Sequence, residues 1–269
     1  MKIGLQAYTV RDAAEVDFKG TMTKIKEMGY DGVELAGIHG KTFEEVDSIM
    51  KELGLTVESA HIPYQELLTD TKNIIANYRS LGCKYLAIPY MVEEHRPGQP
   101  AFTEVLENIK MIGEECKKQG VTLLYHNHDF EFARLENGQY GLDHLYAEVS
   151  EDLLKTQLDT CWVNVAGEDP IEYIKKYSGR CPIVHLKDFV GGKSENMYEL
   201  IGIESEKSET KSDFEFKPLG QGIQNIKGII DAAIESGTEW LIVEQDDTYD
   251  IPSVEVAKIS REYLKSIGF

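Results

Sequence analysis

The sequence predicts an α/β protein built as a single (β/α)8 TIM barrel. Short apolar runs alternate with amphipathic segments eight times along 269 residues, the period of a helix-wrapped parallel barrel. Ionisable residues stand at the ends of those apolar runs, where a barrel places its active site. No low-complexity stretch or linker divides the chain, so residues 1–269 are read as one domain. The alternative, an open doubly wound sheet, is weakened because no G-x-G-x-x-G follows the first apolar run.

Taken in order, Lys2 to Val10 reads as the first strand and Asp17 to Met28 as a helix with apolar residues at helical spacing. Gly29 to Gly32 is a turn into a second strand, Val33 to Ala36. Thr42, with Glu45 three residues on, predicts a capping box for a helix that stops before Gly54. Strand three is Thr56 to Ile62, followed by a helix over Tyr64 to Leu81, and strand four is Tyr85 to Pro89. A long helix, Ala101 to Gln119, is ended by Gly120. Strand five rises from Val121 into Tyr125-His126-Asn127-His128-Asp129-Phe130-Glu131-Phe132. Then come a helix over Leu142 to Val149, strand six over Gln157 to Val163, and a helix from Pro170, with proline in its first turn, to Tyr177. Strand seven is Pro182 to Lys187. Helix Ile223 to Ser236, strand eight from Trp240 to Glu244, and helix Pro252 to Ile267 complete the set. One irregular insertion, about 189–222, interrupts the period; its charged centre, Glu204 to Lys211, reads as a lid or rim, or as a plain surface insertion.

Bulk properties narrow the function classes. A formal net charge of −19 repels phosphate backbones, so no nucleic-acid partner is expected. No apolar run approaches the roughly 20 residues that span a bilayer, so no membrane partner is expected. The N-terminus runs directly into a strand pattern without a signal-peptide layout, which makes a cytoplasmic location the expectation. Cys83, Cys116, Cys161 and Cys181 have no CxxC spacing and read as reduced thiols rather than zinc ligands.

The chemistry concentrates at strand ends. In strand five, His126 and His128 share a face and Asn127 lies opposite. Glu34 ends strand two, His61 strand three, Asp159 strand six, His185 and Lys187 strand seven, and Glu244 strand eight. These groups follow Val, Leu and Ile, where burial is costly unless a ligand, a metal or one another satisfies them. Two imidazoles, an Asp and a Glu form a mixed N/O donor set better suited to Mn²⁺, Co²⁺, Fe²⁺ or Zn²⁺ than to Ca²⁺. His61 is read as a substrate contact or a hydrogen-bonded strand-end histidine, and Glu34 as a barrel-mouth acid or the partner of a buried base. Tyr8 and Trp162 offer flat faces to a sugar ring, or simple packing. His39, His95 and His144 read as loop or helix-surface residues.

At these residues the sequence resembles the sugar phosphate isomerase/epimerase superfamily, with its xylose isomerase-like barrel, which also includes inosose dehydratases, tagatose-type ketose epimerases and apurinic-site endonucleases. The resemblance rests on Gly4 to Asp12, Gly29 to Glu34, Tyr125 to Phe132, Leu158-Asp159-Thr160, Val184 to Asp188, Leu219-Gly220-Gln221-Gly222 and Val243 to Asp246. It implies one divalent metal ion (Mn, Co, Mg, Fe or Zn) held by four strand-end ligands. Asp159, His185 and Glu244 fall on three of those positions, and His126 stands where the epimerases commonly carry a glutamate. A second departure follows strand six, where Asp159-Thr160-Cys161-Trp162 replaces the family's frequent Asp-x-x-His. The implied activity is proton abstraction beside a carbonyl through an enediolate. Glu244 or His126 would be the base, Lys187 would stabilise developing charge, and Tyr8, Glu34, His61, His128 and Trp162 would contact substrate. The implied partner is a small sugar or polyol-ketone, and such barrels often form homodimers. A lyase or dehydratase acting on an inosose or 3-keto-glycoside is the alternative; an endonuclease or a non-catalytic sugar-binding barrel ranks lower.

Overall fold

Short apolar segments with alternating side chains close into a ring of eight parallel strands. The computed structural model describes residues 1–193 and 213–269. Its barrel strands are β1 (Lys2–Gln6), β2 (Gly32–Ala36), β3 (Thr56–His61), β4 (Tyr85–Ile88), β5 (Thr122–His126), β6 (Lys155–Asp159), β7 (Ile183–Leu186) and, after a two-stranded antiparallel excursion of β8 (Asp188–Val190) and β9 (Glu215–Lys217), β10 (Trp240–Val243). Each strand pairs with the next in sequence, and β10 closes the ring between β7 and β1. The excursion occupies the expected insertion at 189–222; the charged stretch Glu204 to Lys211 lies outside the described residues.

Local chemistry decides where each element starts and stops. Thr42 and Glu45 form the expected capping box for the helix Phe43–Leu53: the Glu45 amide donates to Thr42 Oγ1, and the Thr42 amide to Glu45 Oε2. Gly120, at φ 73°, ends the helix Phe102–Gln119 in the left-handed region that glycine enters without strain. Three expected boundaries are corrected by side-chain caps. Strand one stops at Gln6, whose Oε1 accepts the Tyr8 amide at 3.0 Å and turns Ala7–Val10 into a 3-10 turn. Strand six stops at Asp159 rather than Val163, because Asp159 Oδ1 accepts the amides of Cys161 and Trp162 and starts a helix, Thr160–Val165. The helix expected over Tyr64 to Leu81 is two, Tyr64–Thr69 and Thr71–Ser80, the second capped by Asp70.

The period-2 alternation sorts each strand between two environments. One set of side chains packs outward into the large core beneath the helices. The other meets inside the ring, where Tyr85, Ala87, Leu124, Ile183, Trp240 and Ile242 form a separate apolar cluster. Two glycines make room for it. A Cβ on Gly4 would meet Ile242 Cδ1 at 2.5 Å, and one on Gly32 would meet the Thr56 carbonyl at 2.6 Å and the Trp240 ring at 3.0 Å. Among the described residues, no helix is long and apolar enough to cross a membrane.

Candidate active site and metal centre

Above that apolar floor, the same inward rows continue as polar residues: Leu124 leads to His126 and His128, Ile183 to His185 and Lys187, Ile242 to Glu244 and Asp246. The turn after β5 is fixed by its own side chains. Asn127 points away and its Oδ1 accepts the Asp159 amide at 3.0 Å, tying the end of β5 to β6. Glu131 folds back to accept the Tyr125 hydroxyl at 2.6 Å and the His128 amide at 2.8 Å. The His128 ring stacks on Phe130, with centroids 5.4 Å apart.

His126, Asp159, His185 and Glu244 converge, each offering a donor atom within 4.8 Å of the others, and all four are buried. Gln157 orients one of them. Its amide donates to Glu34 Oε2 at 2.6 Å, so its Oε1 accepts from His61 Nε2 at 2.7 Å and His126 Nδ1 at 3.0 Å. With the proton on Nδ1, the His126 Nε2 lone pair is left facing Asp159 Oδ2, 3.8 Å away. His185 Nδ1 lies 2.9 Å from Glu244 Oε2 and its Nε2 lies 2.8 Å from Glu34 Oε1. Burial alone would depress the His185 pKa, but Glu34 and Glu244 outweigh it and push it up to about 10. His126 and His128 are held neutral, first by burial and then by neighbouring positive charge.

Lys187 completes the cluster: its Nζ lies 2.8 Å from Asp159 Oδ2, Glu244 Oε2 and Asp246 Oδ2. Burial opposes its charge, yet these carboxylates hold it protonated, well above the usual lysine range. Burial raises the Asp159 carboxyl above its ordinary pKa and pushes Asp246 up to about 7 against the pull of Lys187, so these carboxylates are incompletely compensated. A divalent cation, displacing the proton of His185, would supply that compensation. Two imidazoles and two carboxylates are also the right donors for such an ion. The residues fit a metal.

The cluster opens into a cavity of about 550 Å³ lined in part by Tyr8, His61, His126, His128, Lys187 and Glu244. Two residues expected to contact substrate lie elsewhere. Glu34 is fully buried beneath the cavity, its oxygens taken by Gln6, Ser59, Gln157, His61 and His185 at 2.6–2.9 Å. Trp162 is fully buried against Phe214 and Phe216, because the cap at Asp159 carries it behind the site.

A sequence model of the xylose isomerase-like TIM barrel family matches residues 22–267. The chain belongs to that family. Among its curated relatives is an inosose dehydratase of Clostridium botulinum, 22% identical over 93% of this chain and 90% of that protein. Among solved structures, a sugar phosphate isomerase/epimerase from Parabacteroides distasonis superposes with a TM-score of 0.80 at 21% identity, covering 98% of this chain and 97% of that one. The IolI protein, whose structure holds a zinc atom, superposes with a TM-score of 0.74 at 15% identity, covering 99% and 98%. Within this xylose isomerase-like barrel, sequence reasoning missed Asp246 and Gln157. Asp246 lies two residues past Glu244 on the same face, so alternation was the available signal. Gln157 gave none, as its role needs partners on β2, β3 and β5. The Leu219-Gly220-Gln221-Gly222 motif is explained by Asp188, whose carboxylate accepts the amides of Gly220, Gly222 and Gln224 at 3.0 Å and anchors that loop beside Lys187.

Proposed function

We propose that this chain is a divalent-metal-dependent enzyme that removes a proton from the carbon beside the carbonyl of a sugar or polyol-ketone. One observation carries the reading: His126, Asp159, His185 and Glu244 converge, and His126 and Glu244 line a cavity that the buried Lys187 lines as well. Held by those four residues, a divalent ion supplies Lewis acidity toward the substrate's carbonyl and neighbouring hydroxyl oxygens. Glu244 is kept ionised by Lys187 and His185 against its burial, which makes it the stronger candidate base. His126, neutral and lining the same cavity, is the alternative base in a site where Asp159, His185 and Glu244 alone hold the ion, because its one free lone pair, on Nε2, cannot serve both roles. The Lys187 ammonium stabilises negative charge as it moves onto the carbonyl oxygen and an enediolate forms. His61 and His128 line the remaining wall, where they can hydrogen-bond substrate oxygens while the protonated base returns its proton. Return to the neighbouring carbon isomerises the sugar; return to the opposite face epimerises it.

A second reading, elimination of a β-hydroxyl or glycosyl oxygen, is favoured by the imidazole of His126 where the epimerases present a carboxylate. The likeness to inosose dehydratases over nearly their whole length supports it too. The proton step is common to both. The test loads the protein with Mn²⁺, Co²⁺ or Zn²⁺ and follows solvent deuterium in a panel of ketoses, inososes and 3-keto-glycosides. Deuterium should enter the carbon next to the carbonyl, an unsaturated product marking elimination, with about one metal ion bound per chain. Failure of every member of the panel to exchange or react, with metal bound, would sink the proposal.

A further inference from the structure

The cavity has two chemically different ends. At the ends of β5, β7 and β10 it is walled by His126, His128, Lys187, Glu244 and Asp246. Over β2 to β4, none of which gives a donor to the four-residue metal set, it is walled by Ile38, Phe43, Pro63, Tyr78 and Pro89, with His61 and Tyr90 where this side meets the polar one and Glu66 at the exposed rim. These residues come from three separate connections: Ile38 from the loop after β2 and Phe43 from the helix that follows it, Pro63 from the turn after β3, with Tyr78 from the helix Thr71–Ser80, and Pro89 from the turn after β4. Phe43 and Tyr78 meet edge to face, centroids 5.2 Å apart, while Ile38 and Phe43 remain partly exposed.

Size and polarity both argue against a bare sugar filling this space. A six-membered sugar ring takes the room of roughly six waters, on the order of 200 Å³, well short of the 550 Å³ available. A second sugar ring would leave hydroxyls facing Ile, Phe and Pro side chains without partners, which is strongly unfavourable. A flat apolar group suits the wall instead: aromatic rings pack on ring edges and aliphatic faces with no polar atoms to satisfy.

We propose that this end of the cavity is a subsite for an aryl group carried by the substrate, so that the enzyme acts on a keto-sugar bearing an aromatic aglycone. The inference deepens the proton-abstraction reading and rests on it for the identity of the sugar part. Its test is a binding measurement that needs no turnover: isothermal titration of the metal-loaded protein with phenyl β-glucoside and, separately, methyl β-glucoside. The phenyl compound should bind about tenfold more tightly, as expected for burial of an aromatic ring. Phe43→Leu and Ile38→Ser should each narrow that ratio at least about threefold by removing part of the apolar wall. Ile38 lies in a loop, so the second variant answers the question even if the first unfolds. Equal affinity for the two glucosides, no measurable binding of the phenyl compound, or an unchanged ratio in the folded variants would overturn the subsite. Because neither glucoside carries a ketone, a failure here leaves the deuterium-exchange result standing, and a failure there leaves this one.

Discussion

The floor and the mouth of this barrel are built on the same rows of side chains, one or two inward positions apart, yet they follow opposite rules. At the floor, Trp240, Ile242, Ile183 and Leu124 fill space with apolar volume, and glycines at positions 4 and 32 give way to them. At the mouth, Glu244, His185 and His126 stand on the same rows as polar groups that no apolar packing could satisfy. The difference separates two kinds of energy: the floor supplies burial of about 25 cal/mol per Å² of apolar surface, while the mouth holds buried carboxylates whose charge a bound cation would offset.

The sharpest way to break the contrast is at the floor. Trp240→Ala removes the largest side chain of the inner cluster and should cost about 3–5 kcal/mol of stability in a denaturant titration, while the protein that remains folded keeps its metal. A variant that lost metal without losing stability would erase the distinction. At the mouth, Asp159→Asn should do the reverse. Asparagine keeps the side-chain oxygen that caps Thr160–Val165, so stability should stay within about 1 kcal/mol. The anionic donor is gone, however, so metal affinity and turnover should both fall at least ~100-fold. Full metal content by elemental analysis in that variant would remove Asp159 from the ligand set.

The legible part of the sequence follows the same division. Strand positions, and the candidates Asp159, His185, Glu244 and His126, could be read because each ends an apolar run on a different strand, and a barrel gathers strand ends. Depth could not be read. Glu34 and His61 both end strands, but only His61 reaches the cavity, while Glu34 sits under it as a hydrogen-bond hub for residues from β1, β3, β6 and β7. The run Cys161-Trp162-Val163 looked like continued strand because its residues are apolar. A single carboxylate capping two amides at Asp159 overrode that pattern and swung Trp162 into the core. The two-toned cavity was equally invisible, since Ile38, Phe43 and Tyr78 read individually as ordinary packing residues.

A gentler test uses a carboxylate that belongs to the mouth by position and to the floor by environment. Glu131 is fully buried and accepts hydrogen bonds from the Tyr125 hydroxyl and the His128 amide, neither of them a cation. Burial outweighs those hydrogen bonds and pushes its pKa up to about 8, whereas Glu244, beside Lys187, is held well below the usual range. The sign of the consequence is fixed by linkage. Between its ordinary pKa of 4.5 and about 8, the unfolded chain releases the Glu131 proton and the native protein keeps it. The unfolded state therefore binds fewer protons, and this residue's contribution to stability falls as pH rises, by up to ~1.4 kcal/mol per pH unit. Glu131→Gln cannot titrate, yet it keeps an acceptor for the His128 amide and a donor for the Tyr125 oxygen. Its stability relative to the parent protein should therefore climb steadily from pH 5 to pH 8 in parallel denaturant titrations at fixed metal concentration. A difference that stayed flat across that range would mean that Glu131 is ionised in the native protein, and that this carboxylate follows the rules of the mouth after all.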